Sequence, residues 1–241
     1  MTDRPEQASK TGQFGPVVYA EWRESSLGEI TEMLEHRLIF RLTGSLQDRV
    51  LLDAGCGDGS LARAAAREGA SRVCGCDLDP RMVAKARATA FRDSVPIDFS
   101  VARLQALPVP DNTFDVVTCV TVLAFVPDSI QAVREMARVL RPGGILVIGD
   151  LGKWSLWAAR RRVRGWSGAK IWRSAKFRTA KQITELTEAS GLTASSVKGA
   201  IFYPPWTVAA RLMAPLDPTL GEKATIGAAF VAVQATKPLS T

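Results

Sequence analysis

At 241 residues the chain fits one ordinary domain, or one domain with an elaborated cap, because single cores stop growing at roughly 250 to 300 residues. Its 46% hydrophobic and 23% charged residues exclude a disordered protein, and its longest apolar run, Val116 to Val126, is about half of what a membrane-spanning helix needs. The net charge is +7, and the excess is confined: Lys153 to Arg178 hold nine Lys or Arg and no acid, against 22 basic and 24 acidic residues elsewhere.

In chain order, the start "MTDRPEQASKTGQ" is polar, lacks the apolar core of a secretory signal and reads as the tail of a cytoplasmic protein. Ser26 and Glu29 have capping-box spacing, and Leu27, Ile30, Leu34 and Leu38 recur at helical intervals up to Gly44. A strand "RVLLDA" and a helix "SLARAAAREG" closing at Gly69 follow. Next come the strand "RVCGCD" and the helix "RMVAKARATAF", with Asp79 as N-cap and Pro80 in its first turn. "IDFSVA" and "FDVVTCV" are strands three and four. Ile130, Val133, Met136, Ala137 and Leu140 mark a helix that "RPGG" (141–144) ends before the strand "ILVIGD". After the basic segment come a helix "TAKQITELTEASG", a strand "LTASSVKGA" and a last strand "TIGAAFVAVQAT". This alternation predicts an α/β fold with right-handed crossovers and a mostly parallel, doubly wound sheet. Cys56, Cys74, Cys76 and Cys119 have no disulfide or zinc spacing, so reduced thiols and no metal site are expected.

Gly55, Gly57 and Gly59 occupy the first strand-to-helix turn, where ligands of such sheets bind. Lacking Cβ, they let the backbone turn sharply and approach a ligand at a helix N-terminus. Asp77 ends the second strand, 22 residues past Gly55, where an acid can accept both hydroxyl hydrogens of a ribose. The dinucleotide fingerprint fails, because its third glycine would stand where this chain has Ser60.

The segments "VLLDAGCGDG", "GCDLDPRMVAKAR", "LQALPVPDNTFDVV" and "REMARVLRPGGILVIGD", in this order and spacing, resemble the class I S-adenosylmethionine-dependent methyltransferases, in their ubiquinone/menaquinone-biosynthesis-like (type 11) branch. The resemblance is strong over roughly residues 49–150; "FRTAKQITELTEASGL" and the final strand look like the family's closing part. It implies a Rossmann-like seven-stranded sheet with an antiparallel last strand. The single domain would divide into an N-terminal arm or lid (1–45), a cofactor core (46–150), a basic cap insert (151–178) and a completion of the sheet (179–241). S-adenosylmethionine would be the cofactor and S-adenosylhomocysteine the product. The family pattern implies that Gly55, Cys56, Gly57, Asp58 and Gly59 wrap the methionine portion, that Asp53 supports the turn and the ammonium, that Asp77 holds the ribose and that Leu78 packs on adenine. Arg103 and Leu104 stand where the family has a short acid or amide and Ala at the adenine edge, and arginine cannot accept the adenine amino hydrogen. Cys119 and Val120 would border the methyl group. Ala124 and Phe125 replace a histidine common in the family, which makes the pocket more apolar. Tyr19 and Trp22 resemble lid residues.

A sulfonium methyl is already activated, so in-line displacement needs chiefly a positioned nucleophile. If a base helps, the candidates are Asp150, ending the fifth strand, and His36 on the leading helix. The insert carries Trp154, Trp157, Trp166 and Trp172. Trp154, Trp157 and Ala158 are expected on one helical face beside Arg160 to Arg162, a mixture suited to roofing an apolar pocket at a water–lipid boundary. The expected partner is a small apolar or lipid-like acceptor, with peripheral contact to an anionic membrane through residues 153–178. A solvated basic helix whose tryptophans pack on the core weighs as much as the lipid reading. Nucleic-acid binding weighs less, because "YPPW" (203–206) is far from the fourth strand, where base-methylating enzymes carry their Asn-Pro-Pro-Tyr-like motif. A fold that binds the cofactor without turnover is the alternative outside catalysis.

Overall fold

The computed structural model describes residues 22–239. Its elements in chain order are α1 (Ser26–Thr43), β1 (Val50–Ala54), α2 (Ser60–Arg67), β2 (Arg72–Asp77), α3 (Pro80–Arg92), β3 (Asp98–Val101), β4 (Phe114–Val120), a 3₁₀ turn (Leu123–Phe125), α4 (Ser129–Val139) and β5 (Leu140–Leu151). The basic segment then forms α5 (Leu156–Trp166) and α6 (Lys170–Ser174), followed by α7 (Ala180–Glu188), β6 (Thr193–Ala200), α8 (Thr207–Met213), α9 (Asp217–Lys223) and β7 (Phe230–Thr236).

The seven strands form one sheet in the order β3-β2-β1-β4-β5-β7-β6. The first five pair in parallel, and β7 lies antiparallel between β5 and β6, as the expected α/β fold with an antiparallel last strand requires. Successive side chains of a strand point to opposite faces, and the core divides accordingly. Leu52, Leu146, Ile148 and Val233 pack with Met136 of α4 and Ile183 of α7 on one face. On the other, Val147 and Phe230 pack with Leu34 and Leu38 of α1, while Leu51 and Val116 pack with Ala62 of α2 and Val83 of α3. The chain leaves the β3 edge and re-enters beside β1. The junction of β1 and β4 is therefore the switch point at which such sheets open a crevice at the carboxyl ends of their strands.

Three boundaries differ from the sequence expectation. Ser25, not Ser26, caps α1: an N-cap needs extended backbone, and Ser25 has φ −73° and ψ 149°, its hydroxyl accepting from Gly28 N–H. "RPGG" does not separate helix from strand, since β5 begins at Leu140 and the tetrapeptide is looped out between the pairs Phe114↔Leu140 and Val116↔Ile145. Gly144 makes that irregularity fit, because a Cβ there would lie 2.8 Å from the Arg141 carbonyl oxygen. β7 begins only at Phe230, after a turn in which Gly227 takes φ +90°. Asp79 and Pro80 start α3 as expected, the aspartate accepting from Arg81 N–H.

Candidate active site

At the switch point a cavity of about 340 Å³ opens between the strand ends, α1 and the insert, within the volume range of small-molecule sites. Its floor is the glycine turn. All three glycines have positive φ (+85°, +54° and +77°), but their surroundings differ. A Cβ on Gly55 would lie 2.4 Å from a Val122 methyl, and one on Gly59 would lie 2.8 Å from the Phe99 ring. At Gly57 nothing lies within 4 Å, so its bare backbone faces open cavity.

The end of β2 braces this turn. Gly55 and Cys56 N–H both donate to the Cys76 carbonyl. The Asp77 carboxylate accepts from Gly57 N–H and from Asp79 N–H, each at 2.9 Å. A carboxylate offers about four lone-pair sites, so Asp77 keeps acceptor capacity toward the cavity it borders. Asp53, ending β1, is buried and accepts from the Thr118 hydroxyl at 3.1 Å. Burial, aided by the Asp77 charge and opposed by that hydrogen bond, pushes its carboxyl up to about 7. Asp58 is ion-paired with Arg23 and lies 3.6 Å from the Lys85 ammonium. Thr121, at the end of β4, holds φ +55°, a strained value for a β-branched residue, and also lines the cavity.

The opposite wall comes from segments distant in sequence. α1 contributes Glu32, Glu35 and His36, and α5 contributes Trp157, Arg160, Arg161 and Arg164. Burial raises the Glu35 carboxyl to about 8 against the pull of Arg161, and lowers the His36 pKa although Glu32 stands 3.8 Å away. The Arg161 guanidinium lies over two indoles, 5.1 Å from the Trp157 ring and 4.9 Å from that of Trp172; Phe125 contacts Trp172 at 6.1 Å. Trp157 is itself fixed, its indole N–H donating to the Tyr203 carbonyl at 2.9 Å.

Of the residues singled out in the sequence, the fold brings Trp22, His36, Asp53, Gly55, Cys56, Gly57, Asp58, Asp77, Val120, Phe125 and Trp157 to this cavity. Others stand outside its lining. Gly59 packs under Phe99, Leu104 and Cys119 are buried in the core, and Leu78 and Arg103 are exposed. Trp154 does not share a face with Trp157: it precedes α5, is 58% exposed and carries the Lys153 ammonium over its ring. Asp150 is fully buried in an ion pair with Arg178 at 2.8 Å, which seals it away from the cavity. Tyr19 lies outside the described residues. Among the described residues no group of three or more His, Cys, Asp or Glu could hold a metal. Burial pushes the Cys56, Cys76 and Cys119 thiols up, so they stay protonated.

Sequence reasoning missed Arg23, Glu35 and Arg164. A signal existed for Glu35, which sits among Thr31, Leu34 and Leu38 on the apolar stripe of α1, where a carboxylate needs a reason.

A seven-stranded sheet of this order, with a glycine turn at its switch point and an acid ending β2, defines the class I S-adenosylmethionine-dependent methyltransferases. The comparisons agree. A methyltransferase domain family matches residues 52–148. The ubiquinone biosynthesis O-methyltransferase of Idiomarina loihiensis is 32% identical over 168 residues, covering 67% of this chain and 69% of that one. The 27-O-demethylrifamycin SV methyltransferase of Amycolatopsis mediterranei is 37% identical over 134 residues, covering 55% and 49%. A methyltransferase structure from Aquifex aeolicus superposes with a TM-score of 0.66 at 15% identity, covering 93% and 99%, which shows the fold alone. The chain belongs to the class I S-adenosylmethionine-dependent methyltransferases, in the branch that contains the ubiquinone-biosynthesis O-methyltransferases. The residues fit that cofactor: Gly57 leaves space a Cβ would fill, and Asp53 and Asp77 are the carboxylates an ammonium and a ribose diol call for.

Proposed function

We propose that the protein methylates a small acceptor with an apolar or lipid-like body by in-line displacement, with residues 151–178 acting as a cap. S-adenosylmethionine supplies a sulfonium-activated methyl group. On this reading Gly57 and Asp53 bind its amino-acid portion and Asp77 its ribose, while Trp22, Phe125 and Trp157 border the acceptor and exclude water. The observation that carries the reading is the two-ended cavity, with bare backbone and carboxylates at one end and indoles of the insert at the other. His36 borders the cavity and burial favours its neutral form, so it is the base if the acceptor needs one. Calorimetry with S-adenosylhomocysteine tests the cofactor half. Asp77→Ala should weaken binding roughly 10- to 100-fold, the size of one or two charge-assisted hydrogen bonds, and unchanged affinity would sink the assignment. Mass spectrometry for a product one methyl group heavier tests turnover; tight cofactor binding with no product from any acceptor would favour a binding protein.

We further propose that the enzyme is cytoplasmic and touches anionic membrane through its insert. The supporting observation is the outer face of α5, where Leu156, Val163 and Trp166 are exposed, with Trp154 exposed just before it and Lys170 and Arg173 exposed on α6. No helix among the described residues is long and apolar enough to cross a membrane. The protein should float with phosphatidylglycerol vesicles at low salt and less so as salt rises; failure to float at every salt concentration removes this contact.

A further inference from the structure

Deepening the methyltransferase reading, on which it rests, we propose that Thr121 is a further catalytic residue, whose strained backbone holds its hydroxyl oxygen toward the methyl group in transit between cofactor and acceptor. Of the described non-glycine residues with positive φ, Thr121 (+55°) and Ile201 (+65°) are β-branched, and such residues enter the left-handed region only at a cost. Ile201 has a structural reason. It is buried, and the Asp217 carboxylate accepts from its N–H and from that of Phe202. Thr121 has no comparable partner. Thr118, three residues earlier on β4, gives its hydroxyl to Asp53, whereas the Thr121 hydroxyl has no hydrogen-bond partner among the described residues, and Thr121 is half-buried at the cavity wall. Its hydrogen and both lone pairs are left to a ligand.

Strand order sets this residue between donor and acceptor. Asp53 and Asp77, assigned to the cofactor, end β1 and β2; the insert follows β5, and β4 lies between β1 and β5. Asp53 pairs with Thr118, so Thr121 stands three residues further along, beside the glycine turn, and a methyl of the next residue, Val122, fills the space that a Gly55 Cβ would need. The sulfur of S-adenosylmethionine joins the amino-acid portion to the ribose, so a methyl group leaving it for an acceptor under the insert crosses the end of β4. The left-handed turn keeps the hydroxyl there. Thr121 N–H still donates to the Gly149 carbonyl at 2.7 Å, extending the β4–β5 ladder, while Leu123 turns into the core.

Thr121 makes and breaks no bond. The nucleophile's lone pair forms the new bond to carbon, its proton, where it carries one, leaves to His36, and the carbon–sulfur pair returns to sulfur as a neutral thioether. A hydroxyl oxygen beside the methyl group attracts its hydrogens, which the sulfonium polarises, and so directs the carbon toward the acceptor.

The test is calorimetry of the full chain with two analogues. Sinefungin carries an amino group where the cofactor carries its methyl, and S-adenosylhomocysteine carries nothing there. Thr121→Val keeps the side-chain shape and removes the oxygen. It should lose about tenfold in sinefungin affinity and keep S-adenosylhomocysteine affinity within about twofold. S-adenosylmethionine should lose about two- to fivefold, because C–H donors are weaker. Thr121→Ser should retain parental affinity for sinefungin. Thr121→Gly, which adopts the left-handed φ freely, should melt no lower than the parent yet bind sinefungin as weakly as Thr121→Val. If Thr121→Val does not melt cooperatively, Thr121→Ala takes its place with the same expectation. Parental sinefungin affinity without the hydroxyl, an equal loss for both analogues, or a loss in Thr121→Ser as large as in Thr121→Val overturns the proposal and leaves the methyltransferase reading standing. A lower Tm in Thr121→Gly overturns it too, since the side chain would then be kept for packing. If S-adenosylhomocysteine does not bind the parent protein, the cofactor assignment fails instead.

Discussion

Gly55, Gly57 and Gly59 share a backbone conformation but not a cause, and substitution separates the causes. Alanine at Gly57 meets no protein atom, so its only structural cost is the left-handed φ, roughly 1 to 2 kcal/mol. Alanine at Gly55 adds a collision with Val122, worth about 1 to 3 kcal/mol more. Gly57→Ala should therefore stay folded with a Tm a few degrees lower yet lose at least about tenfold in S-adenosylhomocysteine affinity, whereas Gly55→Ala should lose stability first. Parental affinity in Gly57→Ala would mean that no ligand occupies the space there. Asp53 gives a pH signature. Burial holds its carboxyl at about 7, and a ligand ammonium beside it favours the ionised form, so binding below that pH releases a proton. Affinity should fall by up to tenfold per unit as pH drops from about 7 to about 5.5, and Asp53→Asn should flatten the profile. A flat profile in the parent protein removes the ammonium from Asp53. None of this distinction was legible beforehand: three alternate glycines announce a turn, but which one faces a ligand depends on Val122 and Phe99, residues remote in sequence.

Among the elements, the strands and helices of the core were readable because strand ends, caps and glycines coincide along the sequence. "RVCGCD" and "FDVVTCV" fall on β2 and β4 without shift. The insert was not readable, because a helix with aromatic and basic residues all round does not announce which face turns inward. Its base rests on Arg178, which is far from the solvated residue that a basic run suggests. Arg178 N–H donates to the Leu151 carbonyl, its own carbonyl accepts from Lys153 N–H, and its side chain donates to Asp150 and to the Ser129 hydroxyl. Asp150, raised to about 6 by burial against the pull of Arg178, would be left alone in the core by Arg178→Met. That variant should lose about 3 to 5 kcal/mol in denaturant unfolding, and Asp150→Leu combined with Arg178→Met should regain most of it. The sign of the pH effect follows. Without the arginine the folded pKa of Asp150 rises further above its unfolded value, so the deficit is smallest at low pH and grows as pH rises. A loss under about 0.5 kcal/mol, typical of surface substitutions, would mean that the pair does not hold the insert.

Across the whole molecule, the site joins a core visible in the sequence to two flanks that are not. The family match ends at residue 148, and it includes the glycine turn, Asp77 and Phe125 but neither α1 nor the insert. Glu35 meets Arg161 only because α1 and α5 meet above the carboxyl ends of the strands, a contact between segments more than a hundred residues apart that no local pattern encodes. The same geometry makes ligand binding a property of the whole fold, since the cavity disappears if either flank detaches. S-adenosylhomocysteine at about 100 times its Kd should therefore stabilise the protein by about 2.7 kcal/mol, which for a chain of this size raises Tm by roughly 5 to 11 °C. Hydrogen exchange should slow in the glycine turn and at the end of β2 with this ligand, and should slow in α1 and α5 as well, since both border the cavity. A shift that Asp77→Ala leaves intact would locate the binding elsewhere on the molecule. Protection of the turn that never extends to the flanks, at saturating ligand, would mean that α1 and the insert stand beside the site without closing it.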